Sequence, residues 1–169
     1  MSQSIEIYGA PMDLGVNLRG VDMGPTALRI AGIEQAITQL GYVLTDNDDV
    51  KISSRVSLPE DHTNAKYLQA ITEVCRRLHD LAKQAKEKGA IPLFLGGDHS
   101  IAIGTVAGVA SYYRSRAEQI GLIWFDAHTD MNVPASSPSG NIHGMPLASI
   151  LGIGPEELTS IGGWKGKVR

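Results

Sequence analysis

The sequence has a single cysteine, Cys75, among its 169 residues. One thiol excludes an internal disulfide, and the lack of a cysteine cluster excludes a thiolate-ligated structural zinc site. Cys75 falls within a helical pattern and is read as a buried, inert thiol, not a nucleophile. Long apolar runs are missing too. No segment approaches the ~18 residues that a spanning helix requires, and the opening "MSQSIEIYGAP" has neither the basic region nor the apolar stretch of a secretory leader. The expected location is the cytoplasm, with no membrane partner. Nor is one sign of charge in surplus: the net charge is −3 and the basic residues lie scattered among acidic ones, so no nucleic-acid partner is expected.

What is present is a hydrophobic fraction of 43%, enough for one domain around one core. The chain alternates apolar runs with helical patterns. "IEIY" reads as a strand, followed by a loop over residues 9–24 that carries Gly15, Gly20 and Gly24. Pro25 suits a first helical turn, and the spacing of Leu28, Ile33, Ala36, Ile37 and Leu40 predicts a helix over 25–40, stopped by Gly41. "YVLTD" is a second strand and residues 47–61 a linker. From about residue 63, Tyr67, Leu68, Ile71, Val74, Leu78, Leu81, Ala82 and Ala85 recur every three or four positions until "KEKG" ends the helix. "AIPLFLGG" and "IGLIWFD" are continuous apolar runs, the mark of strands covered on both faces, with a helix over 101–119 between them. The order βαβαβαβ predicts a parallel sheet flanked by helices, with ligands beyond the carboxyl ends of the strands.

Chemistry-bearing residues gather at those ends. "DAHTD" places Asp126, His128 and Asp130 at alternate positions, on one face if the strand continued. Four strand residues span ~13 Å, whereas metals of a two-metal site lie ~3.5–4 Å apart, so the chain must curl there, with Asp126 ending the strand. Mixed carboxylate and imidazole donors suit divalent ions such as Mn²⁺ or Zn²⁺. "FLGGDHS" ends the preceding run in the same manner and brings His99 toward the same pocket. Asp98 beside it has two readings: a hydrogen bond supporting a ligating histidine, or part of a strand-to-helix turn capped by Ser100. "SGNIHGMP", residues 139–146, spaces a hydroxyl, an amide and an imidazole two apart, groups suited to holding a substrate.

Through "GGDHS", "DAHTDMN" and "SGNIHGMP", in that order, together with "GAPMDLG" and "RGVDMGPTALR", the sequence resembles the arginases of the ureohydrolase family. The resemblance covers nearly all of the chain. It implies a three-layer αβα fold around a parallel sheet, in one arginase-like domain over residues 1–169 that is incomplete at its C-terminus. It further implies two Mn²⁺ ions per complete site, with His99 and Asp130 on one, His128 on the other and Asp126 bridging both. The implied reaction is hydrolysis of the L-arginine guanidinium to ornithine and urea, with a hydroxide as nucleophile. His143 matches the proton-shuttle position, while Asn132, Ser139 and Asn141 match positions that hydrogen-bond the amino-acid head of arginine. "SGN" before the histidine favours arginine over agmatine or another guanidino compound.

Family members are roughly twice this length and carry a D-x-D pair in their second half; no such pair follows Gly144. Such a chain is expected to leave an edge strand and apolar faces uncovered, and so to be marginally stable or to associate, for instance as a homo-oligomer. A non-catalytic arginase-like chain is therefore a second reading. An unrelated hydrolase built on D-x-H-x-D is a third.

Overall fold

The computed structural model describes residues 3–168. Three strands form a parallel sheet: β1 (Ser4–Ala10), β2 (Val43–Asp49) and β3 (Ile91–Gly96), in the order β2-β1-β3. Ile5 pairs with Leu44 on one side and with Ile91 on the other, and the β3 ladder runs on to Ala10 opposite Gly96. The central strand is buried from Ile5 to Ala10, whereas β2 alternates between half-buried and exposed residues before ending in exposed acids, as an edge strand does.

The alternation of side chains in β1 and β3 divides the core in two. Ile5 and Ile7 of β1 meet Leu95 of β3 on one face, under helix α2 (Ile33–Gln39), which contributes Ile37. On the other face Tyr8 stacks on Phe94 with ring centroids 5.2 Å apart, beneath helix α3 (Leu68–Glu87). Helix α3 buries Ile71, Val74, Cys75, Leu78, Ala82 and Ala85 along one stripe, against helix α4 (Ile101–Arg114) and the loop residues Met12, Leu14, Ile142 and Met145. Each large apolar side chain so buried contributes about 1.5–3 kcal/mol. Burial pushes the Cys75 thiol up to about 12, which leaves it as unreactive as its sequence context predicts.

Two predicted helices are shorter than their apolar patterns. Residues 25–40 split into α1 (Gly24–Ile30) and α2, because Gly32 takes a left-handed φ of 91° between them. The helix predicted over 101–119 ends at Arg114. The larger correction concerns "IGLIWFD", which is not a strand. Residues 120–126 pair with no ladder among the described residues, and Ile123 and Phe125 stand 81% and 95% exposed. Apolarity alone does not make a strand: its backbone groups need a neighbour, and here β3 has its ladder with β1 only. The short helices α5 (Pro146–Ile150) and α6 (Glu156–Thr159) complete the structure on the α4 side. No helix among the described residues is long and apolar enough to cross a membrane.

Candidate metal centre

Residue His99 sits in the turn between β3 and α4, just beyond the carboxyl end of the sheet. Its Nδ1 lies 2.8 Å from Asp130 Oδ2 and 3.1 Å from Asp126 Oδ2. One ligand atom from each of the three residues falls within 4.8 Å of the others. The curl expected after Asp126 is made at Asp130, whose φ of 49° is left-handed, a conformation that aspartate adopts more readily than most residues. Its carbonyl oxygen then accepts the N–H groups of Leu147 and Ala148 at 3.1 and 3.2 Å, which anchors the curl to the start of α5.

Asp130 is 7% exposed, and among the described residues its Oδ2 has no well-aligned hydrogen bond, the His99 imidazole 2.8 Å away lying outside hydrogen-bond geometry. A buried carboxylate oxygen left unpaired costs about 1–3 kcal/mol or more. Two carboxylates converging on one imidazole nitrogen, with an oxygen unsatisfied, are the donors and the surroundings that a divalent cation would relieve. The residues present therefore fit a metal ion of the oxygen- and nitrogen-preferring kind.

His128 does not join this cluster. Its side chain is 83% exposed, and it reaches the group only through Asp126 Oδ1, which lies 3.1 Å from its Nδ1 and accepts its backbone N–H at 2.7 Å. That backbone bond, and then the neighbouring imidazoles, hold the Asp126 carboxyl below the usual carboxylate range. Asp126 is thus ionised at neutral pH and offers one oxygen to each side: Oδ2 toward His99 and Oδ1 toward His128.

The substrate-handle loop is braced by the segment before α3. Gly140 takes a φ of 71°, and a Cβ there would lie 2.4 Å from the Thr63 carbonyl oxygen, while its own carbonyl accepts the Lys66 N–H at 2.9 Å. Asn141 is buried, and its N–H donates to Ser139 Oγ at 3.2 Å. Asn132 is exposed, its Oδ1 accepts from Ser136 Oγ at 3.1 Å, and its N–H donates to Gly144 O at 3.0 Å, beside the half-buried His143.

Two contacts have no forewarning in the motifs. The Trp124 ring stacks on His99, centroids 4.6 Å apart and 17° from parallel; the only cue is its place two residues before Asp126. Asp98 makes no hydrogen bond to a histidine side chain among the described residues. Its Oδ1 accepts the Ser100 N–H at 2.9 Å and its Oδ2 the Gly15 N–H at 2.8 Å. Burial raises its carboxyl above the ordinary range, against the lowering by these bonds. Ser100 occupies the N-cap position of α4 without making a side-chain cap bond, so the carboxylate does that work instead.

A model of the arginase family matches residues 3–166. The chain belongs to the arginase family. It is 48% identical over 166 residues to the arginase of Bacillus caldovelox, an overlap that covers 98% of this chain and 54% of that one. The solved native structure of the Bacillus caldovelox arginase at pH 5.6 superposes with a TM-score of 0.91 over 99% of this chain and 55% of its own. Entamoeba histolytica arginase, solved in complex with L-ornithine, is 37% identical, with a TM-score of 0.82 over 98% of this chain and 55% of that one. The three-layer α/β architecture expected from the sequence is the one these structures share. The chain spans about half the length of the curated relatives that it matches.

Proposed function

We propose that this chain carries one part of an arginase-type site, for manganese-dependent hydrolysis of the guanidinium of L-arginine to urea and L-ornithine in the cytoplasm. The observation that carries the reading is the convergence of His99, Asp126 and Asp130 around a buried carboxylate oxygen that has no well-aligned hydrogen bond among the described residues. In this reading His99 and Asp130 would hold one Mn²⁺ ion and His128 the other, and Asp126 would serve both, a role supported by its two oxygens facing two imidazoles. Bound manganese supplies a nucleophile at neutral pH by lowering the pKa of water, which a resonance-stabilised guanidinium demands. The chain's own groups do the rest. Asn132, Ser139 and Asn141 hydrogen-bond the amino-acid head, and a site so built discriminates against an analogue such as agmatine, whose missing carboxylate leaves those groups unpaired. The His143 imidazole delivers a proton to the leaving amine, a general-acid role that histidine side chains commonly fill.

A second reading is favoured by the exposure of His128 outside the cluster. Three ligands converge here, enough for one ion, so the chain could bind metal without turning over substrate. Counting Mn²⁺ per chain after loading and removal of free metal, alongside L-arginine-dependent urea release, separates the two. Two tightly held ions with urea release support the first reading. One loosely held ion and no urea support the second, and no metal at all defeats both.

A further inference from the structure

The chemistry above leaves the Asp98 carboxylate idle, although it follows the glycine pair of "GGDHS" and precedes a metal-ligand candidate in the chain. It is 3% exposed and stands outside the group formed by His99, Asp126 and Asp130. Its bonds lead elsewhere. Beyond the Gly15 and Ser100 N–H groups that its two oxygens accept, its own N–H donates to Met12 O at 2.7 Å. Both of these outer contacts, Met12 and Gly15, belong to the first loop, "GAPMDLG", which no step of the proposed reaction uses. The carbonyl oxygen of Gly15 accepts the N–H of His143 at 3.2 Å. The backbone of His143 thus rests on Gly15, and Gly15 rests on Asp98.

The fit at Gly15 is close. A Cβ there would lie 2.2 Å from Ser100 Oγ and 2.7 Å from Asp98 Oδ1, so no other residue leaves the contact undisturbed. Other bonds tie the same loop elsewhere: Lys66 N–H to Gly140 O at 2.9 Å, Asn132 N–H to Gly144 O at 3.0 Å and Met145 N–H to Ile142 O at 2.8 Å. Gly15 is the one that takes the His143 N–H itself.

We infer that Asp98 is a positioning residue for His143, acting through the backbone of Gly15. The role of His143 itself rests on the proposed hydrolase reading. A carboxylate suits the task because it accepts both N–H groups at once, by charge-assisted bonds about twice as strong as neutral ones. An asparagine keeps only one acceptor and turns an NH₂ toward the other N–H. A misplacement of about 1 Å in a reacting group costs on the order of 100-fold in rate.

The test is hydrogen–deuterium exchange, read by mass spectrometry on the full chain, for Asp98→Ala, Asp98→Asn and Gly15→Ala, with Mn²⁺ content and urea release measured in parallel. Gly15→Ala disturbs the same contact from the other side and leaves the carboxylate in place. We expect the His143 amide to exchange about tenfold faster or more in Asp98→Ala and Gly15→Ala, as for a locally opened segment. Asp98→Asn should fall between these and wild type, and the Ile71 and Leu78 amides of α3 should keep their rates. In the urea assay kcat should fall with the KM for arginine changed less than about twofold, the mark of a group used after binding. A wild-type rate at the His143 amide in both disruptive variants overturns the inference, as does acceleration there only in step with α3. Absence of urea from the wild-type chain would sink the hydrolase reading alone, and the exchange rates would still decide whether Asp98 holds His143.

Discussion

Replacing Gly104 by alanine sets two effects of opposite sign against each other. Inside a helix alanine is favoured over glycine by about 1 kcal/mol. Yet a Cβ on Gly104 of α4 would sit 2.2 Å from the Cys75 carbonyl oxygen and 2.7 Å from its Cα, both backbone atoms of α3, and Gly108 meets His79 O in the same way at 2.3 Å. Carbon–oxygen contacts settle at ~3.3–3.6 Å, so the helices would have to part by about 1 Å. A gap of that order forfeits about a quarter to a half of the dispersion across the seam, where Ile71, Val74 and Leu78 face Ile103 and Ala107. Overpacking of this kind costs ~1–3 kcal/mol. Because the clash is with backbone atoms that cannot swing aside, its cost lies in the upper part of that range, about 2–3 kcal/mol; set against the gain of about 1 kcal/mol, it leaves a net loss of about 1–2 kcal/mol, or about 2–8 °C in melting temperature for a chain of this size. The displacement also reaches the site, because His99 lies just before the first residue of α4. Mn²⁺ affinity should weaken about tenfold, the lower end for changes to groups that orient a ligand. Thermal unfolding followed by circular dichroism, with and without Mn²⁺, measures both. A Gly104→Ala variant melting at or above wild type would refute the close-approach reasoning, since propensity would then outweigh the clash.

Three further outcomes are expected. Mn²⁺ at about 100 times its dissociation constant should raise the melting temperature by about 5–10 °C, and His99→Ala should abolish that rise; an undiminished shift would place the metal elsewhere. Arg29 donates to both oxygens of Asp46, at 2.6 and 2.9 Å, and to Asp49 at 2.6 Å, so Arg29→Gln should cost roughly 1–2 kcal/mol at pH 7. The Arg29 hydrogen bonds hold the Asp46 carboxyl below its unfolded value of about 3.9, so their stabilisation is complete above that pH and fades as the pH falls through the folded-state value. The gap between variant and wild-type melting curves should therefore narrow below about pH 4, and a constant gap would argue against the ion pair. Phe125→Lys should lower concentration-dependent association in light scattering, because it removes a 95% exposed ring from an unpaired apolar run; unchanged association would show that another surface is responsible.

How legible these features are in the sequence depends on how local their causes are. The α3 stripe repeats every three to four residues and needs nothing beyond its own segment, and "DAHTD" announces its donors by type and spacing. The failures come where a distant partner decides. "IGLIWFD" has the composition of a covered strand, but a ladder is made by neighbours, and no spacing within the run shows whether one lies beside it. Gly32 breaks a helix that the apolar pattern alone would continue, because a single left-handed residue leaves that pattern intact. Within the site, alternation predicts Asp126, His128 and Asp130 on one face; the left-handed turn at Asp130 instead brings the two carboxylates together and leaves His128 outside. The contact between Gly15 and Asp98 joins positions 83 residues apart, and only folding puts them in register.

The stacking of Trp124 on His99 has a spectroscopic consequence. An indole whose ring lies 4.6 Å from a metal-ligand candidate, centroid to centroid, reports on that ligand through its emission. A paramagnetic ion held by His99 should quench this fluorophore, and a diamagnetic one should not. The chain's other tryptophan, Trp164, lies beneath Arg114 and Lys167, so a Trp164→Phe variant would leave one emitter at the site. With an ion on His99 as proposed, Trp124 would serve as an intrinsic optical probe of its binding, readable by titration without any added dye.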